Sequence, residues 1–149
     1  MEERRKTEGQ EFVYAHKVQY YETDAMQIVH HSNYIRWMEE ARLEYLSHVG
    51  LPYDEMEEQG IIIPVLSASC EYKMATRYGE TVTIIPQIEK FNGLRFSVSY
   101  QIFSEDGSVL HAVGRTSHCF LNRNMKPVSV RKVAPRISAF FEKYRAPRA

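Results

Sequence analysis

The sequence contains few cysteines, few glycines and no excess of either charge. Its two cysteines, Cys70 and Cys119, exclude a disulfide framework and a four-cysteine metal site. Each lies in an alternating apolar pattern, which predicts buried, reduced thiols. The 19 basic and 19 acidic side chains balance to a net charge of zero, so the basic excess typical of nucleic-acid-binding proteins is missing. With so little net charge, repulsion between copies does not oppose self-association.

Long apolar runs are also missing. The longest, GIIIPVL, is interrupted by Pro64 and falls well short of the roughly 18 residues that a membrane span requires. Residues 1–11 are charged and have no apolar centre, so we expect a flexible N-terminal tail and no signal peptide. Residues 12–149 are long enough to form one domain with a sizeable core. Together these features predict a single-domain cytoplasmic protein.

The apolar residues that are present predict a strand followed by a long helix. Residues 12–21 alternate and are expected to form the strand. Over residues 33–49 apolar side chains recur at helical spacing until Gly50, which predicts a helix about 25 Å long. So much of its surface is apolar that we expect it to be largely enclosed. A short second helix is expected over residues 52–60.

Four further strand patterns and a final helix follow. The strand patterns are PVLSASCEYK, TVTIIPQIEKF, LRFSVSYQIF and SVLHAVGRTSHCFLN. Asn92-Gly93 and Asp106-Gly107 separate the last three and favour type I′ turns, in which both central residues have positive φ. Residues 135–145 predict a short helix with proline in its first turn. One antiparallel sheet must then curve around the long helix, and its exposed edge strand favours a homodimer.

The segment YYETDAMQIVHHSNYIRWMEEAR, residues 20–42, places Asp24 and two histidines just before the long helix. The first turn of a helix has unpaired N–H groups and a partial positive charge, and no acidic side chain occurs in this helix before Glu39. That end is available to a substrate oxygen that gains negative charge during a reaction. Asp24 can face it as a base or nucleophile, and the two together would form an acyl-transfer site.

The residues alone support other kinds of site less well. His30 and His31 are adjacent and are expected to point apart, so no shared metal ion is expected. There is no GxSxG motif and no glycine-rich phosphate loop. Glu22 with Asp24 is a conceivable carboxylate pair for glycoside hydrolysis. In the simplest alternative, Asp24 caps a turn and the histidines pack.

This segment resembles the signature of the hotdog-fold acyl-CoA thioesterases, specifically their 4-hydroxybenzoyl-CoA thioesterase-like branch. That signature is approximately Y-x-[DE]-T-D-x-x-G-x-V-[YH]-[HY]-x-N-Y-x-R-[WF]-x-E-x-[AG]-R. From Glu22 onward, the positions that match it are Glu22, Thr23, Asp24, Val29, His30, His31, Asn33, Tyr34, Arg36, Trp37, Glu39, Ala41 and Arg42. The later segment PVLSASCEYKMATRYGETV, which includes Arg77, resembles the second strand of that family and its turn. The resemblance covers nearly all of residues 12–145.

The resemblance implies an α+β hotdog fold over residues 12–149, with a curved antiparallel five-stranded sheet wrapped around one long central helix. It implies hydrolysis of an acyl-CoA or acyl-carrier-protein thioester, with no metal or organic cofactor, by a homodimer or homotetramer. Asp24 corresponds to the catalytic carboxylate, and the N–H of His31 corresponds to the group that polarises the carbonyl. The positions implied in substrate binding are Thr23, Gln27, Val29, His30, Asn33, Tyr34 and Arg77.

One position departs from the family pattern, because Gln27 stands where the pattern has glycine. Glycine there can adopt positive φ or let the substrate pass close to the backbone. Glutamine is therefore expected to narrow the acyl slot, to reshape the loop or to contribute an amide donor. Two rival functions remain: a non-catalytic acyl-CoA-binding or acyl-carrier-binding module, and a hotdog dehydratase or hydratase, which the lack of a Pro-Gly pair disfavours. The basic residues considered for CoA phosphates are Arg77, Lys90, Arg95, Arg123, Lys126, Arg131 and Lys132.

Overall fold

The computed structural model of the chain describes residues 12–146. The predicted tail, residues 1–11, lies outside the described residues. The elements in chain order are β1 (Tyr14–Lys17), a 3-10 turn (Tyr20–Glu22), α1 (Ser32–His48), α2 (Tyr53–Gln59), β2 (Val65–Tyr72), β3 (Thr81–Phe91), β4 (Arg95–Ser104), β5 (Leu110–Cys119), α3 (Val130–Val133) and α4 (Pro135–Tyr144). Over residues 12–146, no helix has the length and apolar character needed to cross a membrane.

The long predicted helix is confirmed to within one residue at each end, as α1. It stops before Gly50, whose φ of +91° is the left-handed conformation that commonly ends helices. One face is buried and includes Trp37 and Met38. The opposite face is open in the single chain, and Leu43 on it is 53% exposed. The expectation of a largely enclosed helix is therefore wrong for that face.

The five strands form one sheet in the order β1-β3-β4-β5-β2. β1 pairs antiparallel with β3. Loops of only three and five residues join β3 to β4 and β4 to β5, and connections that short require antiparallel neighbours. The hydroxyl of Ser67 in β2 contacts the hydroxyl of Ser117 in β5. Lys73 lies six residues after Ser67, and its N–H donates to the carbonyl of His111, which lies six residues before Ser117. The two chain segments therefore run in opposite directions. The five-stranded antiparallel sheet is thus confirmed.

The first strand is shorter than predicted, because only Tyr14–Lys17 of residues 12–21 is extended and paired. The following chain turns, since the N–H of Gln19 donates to the Glu22 carboxylate at 2.8 Å. Tyr20 and Tyr21 lie in this turn and are 77% and 81% exposed. Alternation of apolar residues predicted that the strand continues to residue 21. The strand ends earlier because the Glu22 carboxylate accepts the N–H of Gln19 and turns the chain.

Two hairpins form where they were predicted, but with different turns. Neither Asn92 nor Asp106 takes positive φ, and in each dipeptide only the glycine is left-handed, so the prediction of type I′ turns is wrong. The Asn92 Oδ1 accepts hydrogen bonds from the N–H groups of Leu94 and Arg95 at 2.9 and 2.8 Å. The Asp106 Oδ1 accepts one from the N–H of Ser108 at 3.0 Å. These side chains direct the turns by bonding to nearby backbone.

The chain comprises two compact units, each assembled from three separate segments. The described parts of the first unit are residues 12–45, 69–86 and 100–114, and those of the second are residues 46–68, 87–99 and 115–146. In the first unit, Gly114 of β5 lets α1 approach closely, since a Cβ there would overlap the Met38 sulfur. In the second unit, the centroid of the Phe96 ring lies 4.4 Å from that of Phe141 and 5.4 Å from that of Phe120.

Strand β2 is one edge of the sheet and is exposed along its length. Seven of its eight residues are exposed in the single chain. A long unpaired edge with apolar side chains is a surface on which another strand can pair. The exposed edge strand is confirmed, and its pairing with a second subunit stays a prediction.

Candidate active site

A short hairpin-like turn in the first unit presents Asp24. Thr23 and Val29 form an isolated antiparallel bridge at its base. Within it, the N–H of Gln27 donates to the carbonyl of Asp24, and the N–H of Asp24 donates to the carbonyl of Ile28, both at 2.9 Å. This ladder fixes the backbone of Asp24 on both sides.

Gln27 closes this turn in a left-handed conformation, with φ of +64°. That is the conformation a glycine at this position of the family pattern would adopt without steric cost. The departure from the pattern therefore keeps the backbone of the turn and adds an exposed side chain to it.

We predict that Gln27→Gly raises the free energy of unfolding by about 0.5–1 kcal/mol. Relief of left-handed strain, about 1–2 kcal/mol, exceeds the extra chain entropy that glycine loses on folding. Urea unfolding measures the change, with Gln27→Ala as the control because its Cβ retains the strain. If the glycine variant is no more stable than the alanine variant, the glutamine side chain itself must stabilise the turn.

The two carboxylate oxygens of Asp24 have different surroundings. Oδ1 accepts a hydrogen bond from the N–H of Met26 at 2.8 Å, which is the turn-capping role of the simplest alternative. Among residues 12–146, nothing donates a hydrogen bond to Oδ2, and the side chain is partly exposed. Capping thus occupies one oxygen and leaves the other accessible to a substrate or water.

At the start of α1 the backbone N–H groups are satisfied with one exception. The N–H of Ser32 donates to Nδ1 of His30 at 3.2 Å, that of Asn33 to the carbonyl of His30 at 3.0 Å, and that of Tyr34 to the carbonyl of His31 at 3.3 Å. For the N–H of His31, the described part of the chain offers no acceptor. His31 is exposed and no acidic side chain lies in the first turn. The open donor at the positive end of this helix is therefore that of His31.

The two histidine rings stack, with centroids 4.2 Å apart. The expectation that they point apart is wrong, because the chain before α1 is neither a strand nor a helix. His30 is held over the helix start by Ser32, whose Oγ lies 2.8 Å from His30 Nδ1. Over the described residues there is no group of three or more His, Cys, Asp or Glu side chains arranged to hold a metal ion.

The segment from Tyr72 to Thr76 lies against the turn and the helix start. The Tyr72 hydroxyl donates to the carbonyl of His31 at 3.2 Å, and its ring lies 5.0 Å from that of Tyr34. The Tyr34 hydroxyl lies 3.0 Å from Thr76 Oγ1, and the Thr76 carbonyl accepts the N–H of Val29 at 2.8 Å. The aromatic side chains of Tyr72 and Tyr34 therefore pack beside His31. No sequence signal indicated these contacts, because Tyr72 was marked only by strand alternation and Thr76 by no local pattern.

The thiol nearest to this cluster in sequence is Cys70, two residues before Tyr72. Both cysteines are free and only partly buried, so the prediction of thiols is confirmed and that of full burial is wrong. Burial raises the pKa of the Cys70 thiol above its ordinary value. A thiol with a raised pKa stays protonated at neutral pH and is a weak nucleophile.

Glu22 does not form the glycosidase-like carboxylate pair with Asp24 that was considered above. Its carboxylate is buried and accepts three hydrogen bonds, from the N–H of Gln19 and the His16 ring at 2.8 Å and from the Trp37 indole at 2.7 Å. Burial acts to raise the pKa of Glu22, but these donors outweigh it and the pKa is lowered. A carboxylate so fully bonded is not available to a substrate.

Three of the predicted substrate-binding residues bond to the loop itself. The Thr23 hydroxyl donates to a backbone carbonyl at 2.7 Å, and the Asn33 amide donates to the Glu22 carbonyl at 2.9 Å. Val29 is 4% exposed and pairs with Thr23 in the antiparallel bridge at the base of the loop. The contacts of these three residues shape the loop that carries Asp24. Of the other predicted substrate-binding residues, His30 lies at the helix start, Tyr34 lies beside Thr76, and Gln27 lies on the turn.

The basic side chains considered for CoA phosphates differ in their surroundings. Arg77 directly follows Thr76, is exposed, and forms no ion pair with any described residue. In the second unit, Arg123 donates to the carbonyls of Glu57 and Glu58 at 3.1 and 3.0 Å. Arg131 in that unit lies over a phenylalanine ring at 5.4 Å. Of these three arginines, Arg77 is therefore the one that is both accessible and next in sequence to a residue of the candidate site.

Comparison with known proteins identifies the family. Residues 18–141 match the thioesterase-like superfamily. The chain belongs to this superfamily. It is similar to the solved structure of a DHNA-CoA thioesterase from Staphylococcus aureus, with 35% identity, a TM-score of 0.80 and 88% of each chain covered. The BH1999 gentisyl-coenzyme A thioesterase structure is 26% identical, with a TM-score of 0.72 over 87% of this chain and 99% of that one.

A curated relative gives the same picture. The relative named "Putative acyl-CoA thioesterase YneP" of Bacillus subtilis (strain 168) is 34% identical over 127 residues, which are 85% of this chain and 92% of the relative. Membership of the superfamily confirms the predicted hotdog fold and the predicted class of enzyme, a thioester hydrolase. The narrower 4-hydroxybenzoyl-CoA branch stays a prediction.

Proposed function

We propose that the protein hydrolyses acyl-CoA thioesters to a carboxylic acid and free CoA, with Asp24 as the reacting carboxylate and the His31 N–H as the donor to the carbonyl oxygen. The observation that carries this proposal is the hydrogen-bond pattern of the loop before α1. Every N–H at the helix start except that of His31 has an acceptor among the described residues, and one oxygen of Asp24 has no donor there. Both groups lie in the first unit.

Two routes use this pair. Asp24 can attack the thioester carbonyl carbon, so that the thiolate leaves and water then hydrolyses the resulting anhydride. Alternatively, Asp24 takes a proton from a water molecule as that water attacks the carbonyl carbon, the C–S bond then breaks, and the CoA thiolate leaves and takes up the proton. In both routes negative charge develops on the carbonyl oxygen, where the His31 N–H and the partial positive charge of the helix end stabilise it.

An aromatic acyl group is the substrate that the surroundings of His31 support best. Tyr34, Tyr72 and His31 pack edge to face, with ring centroids 5.0 and 6.3 Å apart, and such faces and edges favour another planar ring. One similar structure is named as a gentisyl-coenzyme A thioesterase. An acyl-carrier protein is the alternative thiol carrier to CoA.

We further propose that the protein is a homo-oligomer of the cytoplasm. Pairing of the exposed β2 edges in a homodimer, or of two dimers in a homotetramer, would cover that strand. Free thiols at Cys70 and Cys119 are typical of a reducing compartment, and we propose the cytoplasm.

Thiol release from a panel of benzoyl-CoA, hexanoyl-CoA and palmitoyl-CoA tests this function. We expect release from all substrates that fit, with kcat/KM for benzoyl-CoA at least about tenfold higher than for hexanoyl-CoA, a difference within reach of one pocket. Saturable binding of every member without release of thiol would contradict hydrolysis and favour the binding module. A preference for palmitoyl-CoA would contradict the aromatic substrate and leave hydrolysis standing.

A further inference from the structure

We infer that Glu22 is a positioning residue for this site, whose buried carboxylate fixes the backbone that carries Asp24 and the His31 N–H. The inference rests on the proposed function, because positioning has an effect on rate only if those two groups react with substrate. Glu22 itself does not touch the substrate, since its side chain is 6% exposed and all its bonds are internal.

The Glu22 side chain is held by three parts of the first unit. Oε1 accepts hydrogen bonds from His16 Nε2 in β1 and from the N–H of Gln19 in the following turn, both at 2.8 Å. Oε2 accepts one from the Trp37 indole N–H in α1 at 2.7 Å. Each donor approaches from a different element, so the carboxylate has one position in which all three bonds form.

The Glu22 backbone then holds both ends of the loop that carries Asp24. Its carbonyl accepts the N–H of His30 at 2.8 Å and the side-chain amide of Asn33 at 2.9 Å. The chain leaves Glu22, passes through Asp24 and returns to His30, the residue before His31. One carbonyl therefore sets the separation between the proposed reacting carboxylate and the proposed oxyanion donor.

Substitution by glutamine keeps the shape of Glu22 and disrupts this arrangement. The Gln19 N–H and the Trp37 indole N–H are both obligate donors and bind different oxygens of the carboxylate. An amide has only one oxygen, so in either orientation its NH₂ group faces one of these donors. His16 can change tautomer and accept a hydrogen bond from the amide. The N–H groups of Gln19 and Trp37 cannot change in this way, so one of them still lacks an acceptor.

The test measures Glu22→Gln with the acyl-CoA of the panel that the wild type hydrolyses fastest. We expect kcat to fall about 30-fold with KM within about threefold, because displacement of reacting groups by about 1 Å can cost up to 100-fold in rate. We also expect the His30 amide to exchange with solvent at least about tenfold faster in NMR, because its acceptor is displaced. Unchanged His30 exchange would overturn the inference even if the protein proved to be no hydrolase.

The matched control is Asp106→Asn, in the turn between β4 and β5. The Asp106 carboxylate also accepts three hydrogen bonds, from the N–H and hydroxyl of Ser108 and the hydroxyl of Ser104, at 3.0, 2.7 and 2.8 Å. All three bonds end on Oδ1, which asparagine keeps, so we expect only a modest loss of thermal stability, because a neutral amide accepts hydrogen bonds less strongly than a carboxylate, and kcat within about twofold of the wild type. An equal fall in kcat in both variants would mean that general destabilisation, and not positioning, accounts for the loss.

A double-mutant cycle separates positioning from structure. In the Asp24→Asn background only the His31 N–H is left to be positioned, so we expect Glu22→Gln to lower the residual kcat by about threefold to tenfold, less than the 30-fold expected in the wild type. A further 30-fold loss there would overturn the inference. Should Glu22→Gln not fold, Trp37→Phe removes only one of the three donors, and we expect kcat about threefold to tenfold lower with faster His30 exchange. Wild-type kcat in a folded Trp37→Phe protein would count against the inference.

Discussion

Thiol release by the Asp24→Asn variant is expected to be about 1,000-fold slower than by the wild type, because an amide is neither a base nor a nucleophile. The fold should persist, since the asparagine Oδ1 can accept the N–H of Met26 just as the Asp24 Oδ1 does at 2.8 Å. Measurement of kcat at neutral pH, together with the thermal unfolding midpoint, separates loss of chemistry from loss of structure.

Asp106→Asn serves as the control here as well. Asp106 lies in a turn and, like Asp24, accepts a hydrogen bond from the N–H two residues further on. The two variants therefore make the same chemical change in the same kind of turn, and only that at Asp24 should lower kcat. An Asp24→Asn protein with more than a tenth of wild-type kcat would exclude Asp24 as nucleophile or general base.

The second large effect is expected at His31, where two substitutions separate the backbone from the side chain. Proline removes the N–H, and loss of one oxyanion donor typically lowers kcat by about 100- to 1,000-fold. Alanine removes the imidazole and keeps the N–H, so we expect kcat for His31→Ala within about tenfold of the wild type. Because the His31 N–H has no acceptor among the described residues, its removal takes away no bond of the fold there.

Helix content by circular dichroism and the unfolding midpoint show whether His31→Pro retains α1. Given a folded protein, equal activity of the proline and alanine variants would rule out the N–H as the donor. A loss in His31→Ala as large as in His31→Pro would instead transfer the catalytic role to the imidazole.

The elements of this fold were predictable because their signals are local. Apolar spacing with Gly50 behind it located α1 to within one residue, and the NG and DG dipeptides located both hairpins. The turn type could not be predicted from those dipeptides alone. Asn92 and Asp106 bond through their side chains to backbone that follows, and this local competition replaced the positive φ that the dipeptides favour.

The candidate site was predictable only where it lies on one continuous segment. Asp24, His31 and the helix start fall within residues 20–42, so motif and helix electrostatics could identify them together. Tyr72 and Thr76 reach the site through bonds to His31 and Tyr34 across 41 and 42 residues. Neither apolar spacing nor helix electrostatics connects residues so far apart.

Glu22 illustrates the same limit in another way. A carboxylate two residues before Asp24 suggested a reacting pair, since the sequence gives no sign of burial. Its three donors come from β1, the following turn and α1, and only the folded chain brings them to one point. The difference between a reacting and a positioning carboxylate is thus a tertiary property.

A crystal structure of the Asp24→Asn variant with uncleaved benzoyl-CoA bound would locate the thioester relative to both proposed reacting groups. We expect the thioester carbonyl oxygen within about 3.1 Å of the His31 nitrogen. We also expect the side chain of residue 24 within about 3.5 Å of the carbonyl carbon, or one water molecule away. A carbonyl oxygen bound elsewhere, with the residue 24 side chain turned away from it, would exclude Asp24 and the His31 N–H as the reacting pair.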